Sequence, residues 1–130
     1  MKFLVVEDEF TTRLILQKIL AEHGEVHLAA NGREAVEAVK QACENEELYD
    51  LITLDVVMPE MDGQSALKEI RDLESQYSIS HANRARVIMT TAMNDGKNIM
   101  AAFKEQCDGY LVKPIDRTKL EKFVAEIHHI

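Results

Sequence analysis

The sequence predicts an α/β fold, a doubly wound five-stranded parallel sheet of the (βα)5 kind with helices on both faces. Three observations carry this. Short apolar runs alternate with stretches of helical spacing five times along the chain. Most of these runs are β-branched and almost continuously apolar, as strands buried on both faces are. The length of 130 residues, 46% of them hydrophobic, suits one compact core, so a single domain over residues 1–130 is expected. Strict alternation then favours right-handed crossovers that place helices on both sides of the sheet.

The first run is Phe3-Leu4-Val5-Val6, followed by a helical stretch in which Ile15, Leu16, Ile19 and Leu20 recur at helical spacing. Gly24 is expected to close that helix as a C-terminal stop. The second run, Val26 to Ala30, alternates where the others do not, which suits a sheet edge. Asn31-Gly32 turns into a helix striped by Ala35, Val36, Val39, Ala42 and Cys43. Leu51-Ile52-Thr53-Leu54 is the third strand, and Ala66, Leu67, Ile70 and Leu73 mark the helix after it. Val87 to Thr90 is the fourth strand, with Ile99, Met100 and Phe103 marking a fourth helix. Tyr110-Leu111-Val112 is the fifth, with Leu120, Phe123, Val124 and Ile127 on the last helix. Ser78 to Arg86 is the longest stretch without a pattern.

Charge excludes some functions. Acidic residues outnumber basic ones 23 to 15, for a formal charge of -8; such a surface repels nucleic-acid phosphates and anionic membranes, so neither is an expected partner. No apolar run approaches the roughly 20 residues of a membrane-spanning helix. Cys43 and Cys107 form no disulfide framework, and a cytoplasmic setting is the expectation.

In doubly wound sheets ligands bind beyond the carboxyl ends of the strands. Glu7, Asp8 and Glu9 follow strand one, Asp55 follows strand three, Thr91-Ala92 strand four and Lys113-Pro114 strand five. Carboxylates gathered there repel one another unless a cation lies among them. An all-oxygen set without matching His or Cys favours Mg²⁺ or Mn²⁺, with ligand positions left for water or phosphate. Lys113 and Thr91 supply a fixed charge and a hydroxyl for the oxygens of a transferring phosphoryl group. Asp55, at the end of the central strand, is the expected nucleophile, since aspartyl phosphates are a known class of covalent intermediate.

These residues, with the stretch Asp55-Val56-Val57-Met58-Pro59-Glu60-Met61-Asp62-Gly63 and Gly109-Tyr110-Leu111-Val112-Lys113-Pro114, give a chain that resembles the response-regulator receiver domain family over essentially its whole length. The resemblance implies the flavodoxin-like strand order 2-1-3-4-5 and a Mg²⁺-dependent transfer of a phosphoryl group from a sensor histidine kinase to Asp55. It implies Asp8 and Asp55 as direct metal ligands, a backbone carbonyl from Val57, Glu7 acting mostly through water, and Lys113 contacting the phosphoryl oxygens. It also implies a switch in which Thr91 and Tyr110 move together and remodel the face of helix four, strand five and helix five. Lys104, Tyr110, Lys119 and Lys122 become candidates for contact with a downstream target protein. A cis Lys113-Pro114 peptide is implied as well, as is a monomer or a phosphorylation-dependent dimer.

Glu7 stands where aspartate is commoner in that family, and Val57 and Met93 are apolar where many members carry polar groups that influence the attacking water. Slow loss of the phosphoryl group is therefore expected. A stand-alone switch, a phosphorelay intermediate serving a histidine phosphotransfer protein, and a receiver cut from a longer regulator all fit these residues. A dehalogenase-like phosphatase fits poorly, because strand one lacks Asp-x-Asp. A phosphorylation-independent scaffold is disfavoured by the complete set Glu7, Asp8, Asp55, Thr91 and Lys113. Cys43, Cys107, the five histidines and the six methionines read as packing or surface residues, with Met58 and Met61 packing under the Asp55 loop.

Overall fold

The computed structural model describes residues 1–58, 61–92 and 107–128. Pro59, Glu60, the fourth helical stretch with Ile99, Met100 and Phe103, and Met93 and Lys104 lie outside the described residues. Five strands, β1 (Lys2–Val6), β2 (Glu25–Ala29), β3 (Leu51–Asp55), β4 (Arg86–Thr91) and β5 (Gly109–Val112), form one sheet in the order β2-β1-β3-β4-β5. Every pairing is parallel. The helices are α1 (Phe10–Ala21), α2 (Gly32–Glu44), α3 (Gly63–Gln76) and the C-terminal helix (Arg117–His128), with a 3₁₀ turn at His81–Asn83 inside the unpatterned stretch.

The alternation of side chains along each strand divides the core in two. Leu4, Val6, Ile52, Leu54, Val87 and Met89 cluster with Ala35, Val39, Ala66, Leu67 and Ile70, on the side of α2 and α3. Phe3, Val5, Leu51, Ile88 and Leu111 cluster with Leu16, Leu20, Leu120 and Val124, on the side of α1 and the C-terminal helix. β2 is an edge strand, as its alternation predicts. Ile15 is 40% exposed, so the buried stripe of α1 is narrower than the spacing suggests and centres on Leu16, Ile19 and Leu20.

Local chemistry sets the helix starts. Glu9, Asn31 and Asp62 each accept a backbone N–H of the first turn, from Thr12, Glu34 and Ser65 respectively, satisfying donors that a helix leaves unpaired. Glu34 reaches back to the N–H of Ala30 at 3.1 Å, closing a reciprocal cap. Gly24 plays a different part from the expected stop. Its backbone is not left-handed; a side chain there would put Cβ 2.3 Å from the carbonyl oxygen of Met1. Close approach of the first residue to the α1–β2 turn is what requires glycine.

Candidate functional site

Parallel strands bring the ends of β1, β3, β4 and β5 to one edge of the sheet. Asp55 and Thr91 are the last residues of β3 and β4 rather than the first residues beyond them. That one-residue difference matters, because Asp55 pairs with Thr90 in the β3–β4 register and the N–H of Val56 continues the ladder to the Thr90 carbonyl at 3.0 Å. The acidic side chain thus projects from a fixed backbone. Gly63, at the start of α3, packs against that backbone: a Cβ there would lie 2.4 Å from the Asp55 carbonyl oxygen, and the Gly63 N–H donates to the Val56 carbonyl at 3.0 Å.

Glu7 and Asp55 are buried and Asp8 is exposed, and one carboxylate oxygen from each lies within 4.8 Å of the others. Lys113 closes the group. Its Nζ is 3.0 Å from Glu7 Oε1 and 3.3 Å from Asp55 Oδ2, and it donates to Glu7 Oε2 at 3.2 Å. Burial pushes the Asp55 carboxyl up from 3.8 to about 7, helped by a hydrogen bond with Glu7 and by its charge, while Lys113 and the Val57 N–H pull the other way. Burial alone would lower the Lys113 ammonium, but its hydrogen bond with Glu7 and the Asp55 charge carry it above its usual value.

The donor chemistry suits a hard divalent cation. All three groups offer carboxylate oxygens, and the buried Glu7 Oε1 accepts no hydrogen bond despite its ion pair with Lys113. Three carboxylates against one ammonium leave negative charge that Lys113 alone does not neutralise. The acidic triad supports Mg²⁺.

The remaining expected residues take more varied positions. Thr91 is buried, and its hydroxyl donates to the Ala92 carbonyl at 3.3 Å rather than to the Asp55 carboxylate. Its carbonyl accepts the Lys113 N–H at 2.8 Å. Tyr110 is 40% exposed and Val57 70% exposed, so Tyr110 is outside the core and Val57 stands at the mouth of the site. The Val57 N–H donates to Asp55 Oδ1 at 3.3 Å. Lys113-Pro114 is cis. Cys43, Cys107 and Met58 are core residues, and Met61 packs against them. His23 and His27 serve surface contacts, with Glu121 at 2.9 Å and Tyr49 at 2.8 Å.

Two groups escaped the sequence reading. Arg13, one turn into α1, donates to the Glu7 carbonyl at 3.2 Å and holds the turn that carries Glu7 and Asp8. At the opposite edge of the sheet, Arg71, Glu74 and Asp108 form a largely buried ion network, with Glu74 accepting the Ala85 N–H and Asp108 the Val87 N–H, both at 2.8 Å. The available signal was Glu74 itself, a charge next to Leu73 and four residues after Ile70 on an otherwise apolar face.

This constellation, on this sheet, defines a phosphoacceptor class. The Response regulator receiver domain family matches residues 3–125, and the chain belongs to that family. It is 35% identical over 121 residues to the "Chemotaxis protein CheY" of Bacillus subtilis, covering 92% of this chain and 90% of that protein. It is 33% identical to the yeast "Osmosensing histidine protein kinase SLN1" over 96% of this chain but only 10% of that kinase. Among solved structures, the receiver domain of the histidine kinase CKI1 of Arabidopsis thaliana, complexed with Mg²⁺ and BeF3-, superposes with a TM-score of 0.83 at 28% identity, over 99% of this chain and 90% of that one. The chain is thus a signalling receiver of the two-component type rather than a classical enzyme. Among the described residues no helix is long and apolar enough to cross a membrane.

Proposed function

We propose that the chain is a phosphorylation-activated response regulator that accepts a phosphoryl group from a sensor histidine kinase onto Asp55. The observation that supports it most is the convergence of Glu7, Asp8 and Asp55 around Lys113, whose ammonium stands 3.3 Å from Asp55 Oδ2. An Asp55 carboxylate oxygen attacks the phosphorus of a phosphohistidine; the new O–P bond forms as the N–P bond breaks, and the imidazole takes up a proton on leaving. Lys113 lies where it can neutralise the oxygens of the transferring group. Asp8 and Asp55, with the Val57 carbonyl, would hold Mg²⁺ directly and Glu7 through water, and Mn²⁺ would serve in its place. The bound cation supplies charge neutralisation to the phosphoryl oxygens.

After transfer, Thr91 turns its hydroxyl toward the phosphoryl group and Tyr110 moves inward. New contacts to the phosphoryl group bias the two arrangements of the β5 face and expose a changed surface to a downstream target protein. The test is intact mass after incubation with Mg²⁺ and a small acyl-phosphate donor. The parent gains one phosphoryl mass and Asp55→Asn gains none; equal gain by both would place the acceptor elsewhere.

A further inference from the structure

At the amino-terminal edge of the sheet, away from Asp55, two clefts of about 260 and 320 Å³ share Ala82, Arg84 and Arg86 as a common wall. The first runs between His81 and Asp108. The second continues past Leu48 and Tyr49 to Ile127 on the C-terminal helix. Together they form a groove around Arg84 and Arg86 whose lining also holds the carboxylates of Asp108 and Asp50, with Leu48, Tyr49 and Ile127 along the second arm.

The two carboxylates that line it, Asp50 and Asp108, already accept hydrogen bonds. Asp50 Oδ2 accepts the Lys2 N–H at 2.8 Å. Asp108 accepts the Val87 N–H at 2.8 Å and Arg71 at 3.3 Å, and Arg84 reaches it only at 3.5 Å. Arg86 forms no ion pair with any described residue, in a chain whose net charge is -8. Both arginines are half-buried, so their guanidinium groups are not simply extended into solvent. Arg84 has extended backbone (φ -66°, ψ 151°) and Arg86 opens β4. Residues two apart on an extended chain project to the same side, and Ala85 between them is buried against the core. Two guanidinium forks on one side of a concave wall match an oxyanion that accepts several hydrogen bonds at once, and phosphate does this best.

We propose that this groove binds a small organic phosphate, with the phosphate held by Arg84 and Arg86 and the organic body lying along Leu48, Tyr49 and Ile127. The site is separate from the phosphoacceptor centre and uses none of its residues. Its position couples it to the signalling fold, because Arg84 shares Asp108 with Arg71 and Asp108 immediately precedes β5, the strand that carries Tyr110. Occupancy draws Arg84 from its long ion pair and changes the anchorage of that strand.

The test is amide shift mapping by NMR on the full chain without Mg²⁺, using adenosine 5′-monophosphate, inorganic phosphate and adenosine as probes. Adenosine monophosphate is expected to give saturable shifts at the amides of Arg84, Ala85, Arg86 and Asp108, inorganic phosphate weaker shifts at the same amides, and adenosine none. Arg86→Gln weakens binding about tenfold or more, as the loss of charge-assisted hydrogen bonds implies, and Arg86→Lys restores only part of it because a point charge lacks the fork. Unchanged affinity in both variants, shifts confined to the Asp55 edge, or no saturable shift at millimolar probe would overturn the proposal. Equal binding of inorganic phosphate would remove the organic body from it, and tighter binding of an acidic peptide at these amides would reassign the groove to a protein partner. None of these outcomes depends on phosphorylation at Asp55, so failure here leaves the phosphoacceptor reading intact.

Discussion

Lys113 sits closer to Glu7 than to Asp55, with its Nζ 3.0 Å from Glu7 Oε1 against 3.3 Å from Asp55 Oδ2. Glu7 has no solvent exposure, so Lys113 is the counter-ion that makes its burial tolerable. Removing one partner of a buried pair leaves the other uncompensated. Lys113→Met is expected to lose at least about 2 kcal/mol in urea unfolding. The double variant with Glu7→Gln should recover part of that loss, and strict additivity in the double-mutant cycle would show that the two residues do not interact.

The raised Asp55 carboxyl gives stability a definite pH dependence. The folded group keeps its proton to about 7 while the unfolded one loses it near 3.8. Between those values the folded state binds more protons, so stability of the metal-free protein falls as pH rises through this window. Thermal melts should therefore show a lower Tm above the window than in the middle of it, with the decline reduced by Mg²⁺ and flattened in Asp55→Asn. A metal-free Tm that rises across the window would contradict this assignment of the charge balance.

Gly63 transmits packing to the strand end that carries Asp55. A methyl group there meets the Asp55 carbonyl oxygen at 2.4 Å and Val56 Cα at 2.9 Å, and both are backbone atoms in or beside the ladder. Gly63→Ala is expected to cost about 1–3 kcal/mol and to weaken Mg²⁺ binding, because the strand end carrying Asp55 must shift. Titration of Mg²⁺ into the folded variant checks the second effect separately from the first.

Val57 stands at the mouth of the site and is 70% exposed, yet it offers water no hydrogen-bonding side chain. Val57→Asn should shorten the lifetime of the aspartyl phosphate by about tenfold, less than the roughly 10²–10⁴-fold of a full general acid or base, because an amide orients the water without taking its proton. Following the phosphorylated mass over time measures it, and an unchanged lifetime would mean that water is oriented by other groups.

Glu74 carries the opposite expectation. It is buried, paired with Arg71 at 2.7 Å and bonded to the Ala85 N–H, all at the far edge of the sheet. Glu74→Ala should destabilise the fold by about 1–3 kcal/mol through the orphaned Ala85 N–H and the loss of the nearer of Arg71's two carboxylates, while Mg²⁺ affinity in the folded protein is unchanged. A parallel loss of Mg²⁺ affinity would reveal coupling between the two edges.

Period made the elements and their layering legible, while the strand order followed from the family resemblance. Runs such as Leu51-Ile52-Thr53-Leu54 can be buried on both faces only in a sheet covered on both sides, and the alternating second run belongs at an edge. The ends of those strands pointed to Glu7, Asp8, Asp55 and Lys113, because parallel strands deliver their carboxyl ends to one place whatever the details of packing. Sequence could not say how the four charges share one another. That depends on distances of a few tenths of an ångström between residues as far apart as Glu7 and Lys113, set by the stacking of β1, β3 and β5 and by the depth at which each side chain is buried. Gly24 shows the same division: its identity was visible, but its reason, the carbonyl of Met1 at the place of a Cβ, exists only once the chain has folded back on itself. Arg13 was beyond reach because its partner is a backbone carbonyl, and the Arg71–Glu74 pair, though local, acquires Asp108 and its backbone partners only once the chain has folded. Local pattern therefore determined which elements form and which ends converge, whereas tertiary packing decided which charges are buried, which are paired and which remain open to a ligand.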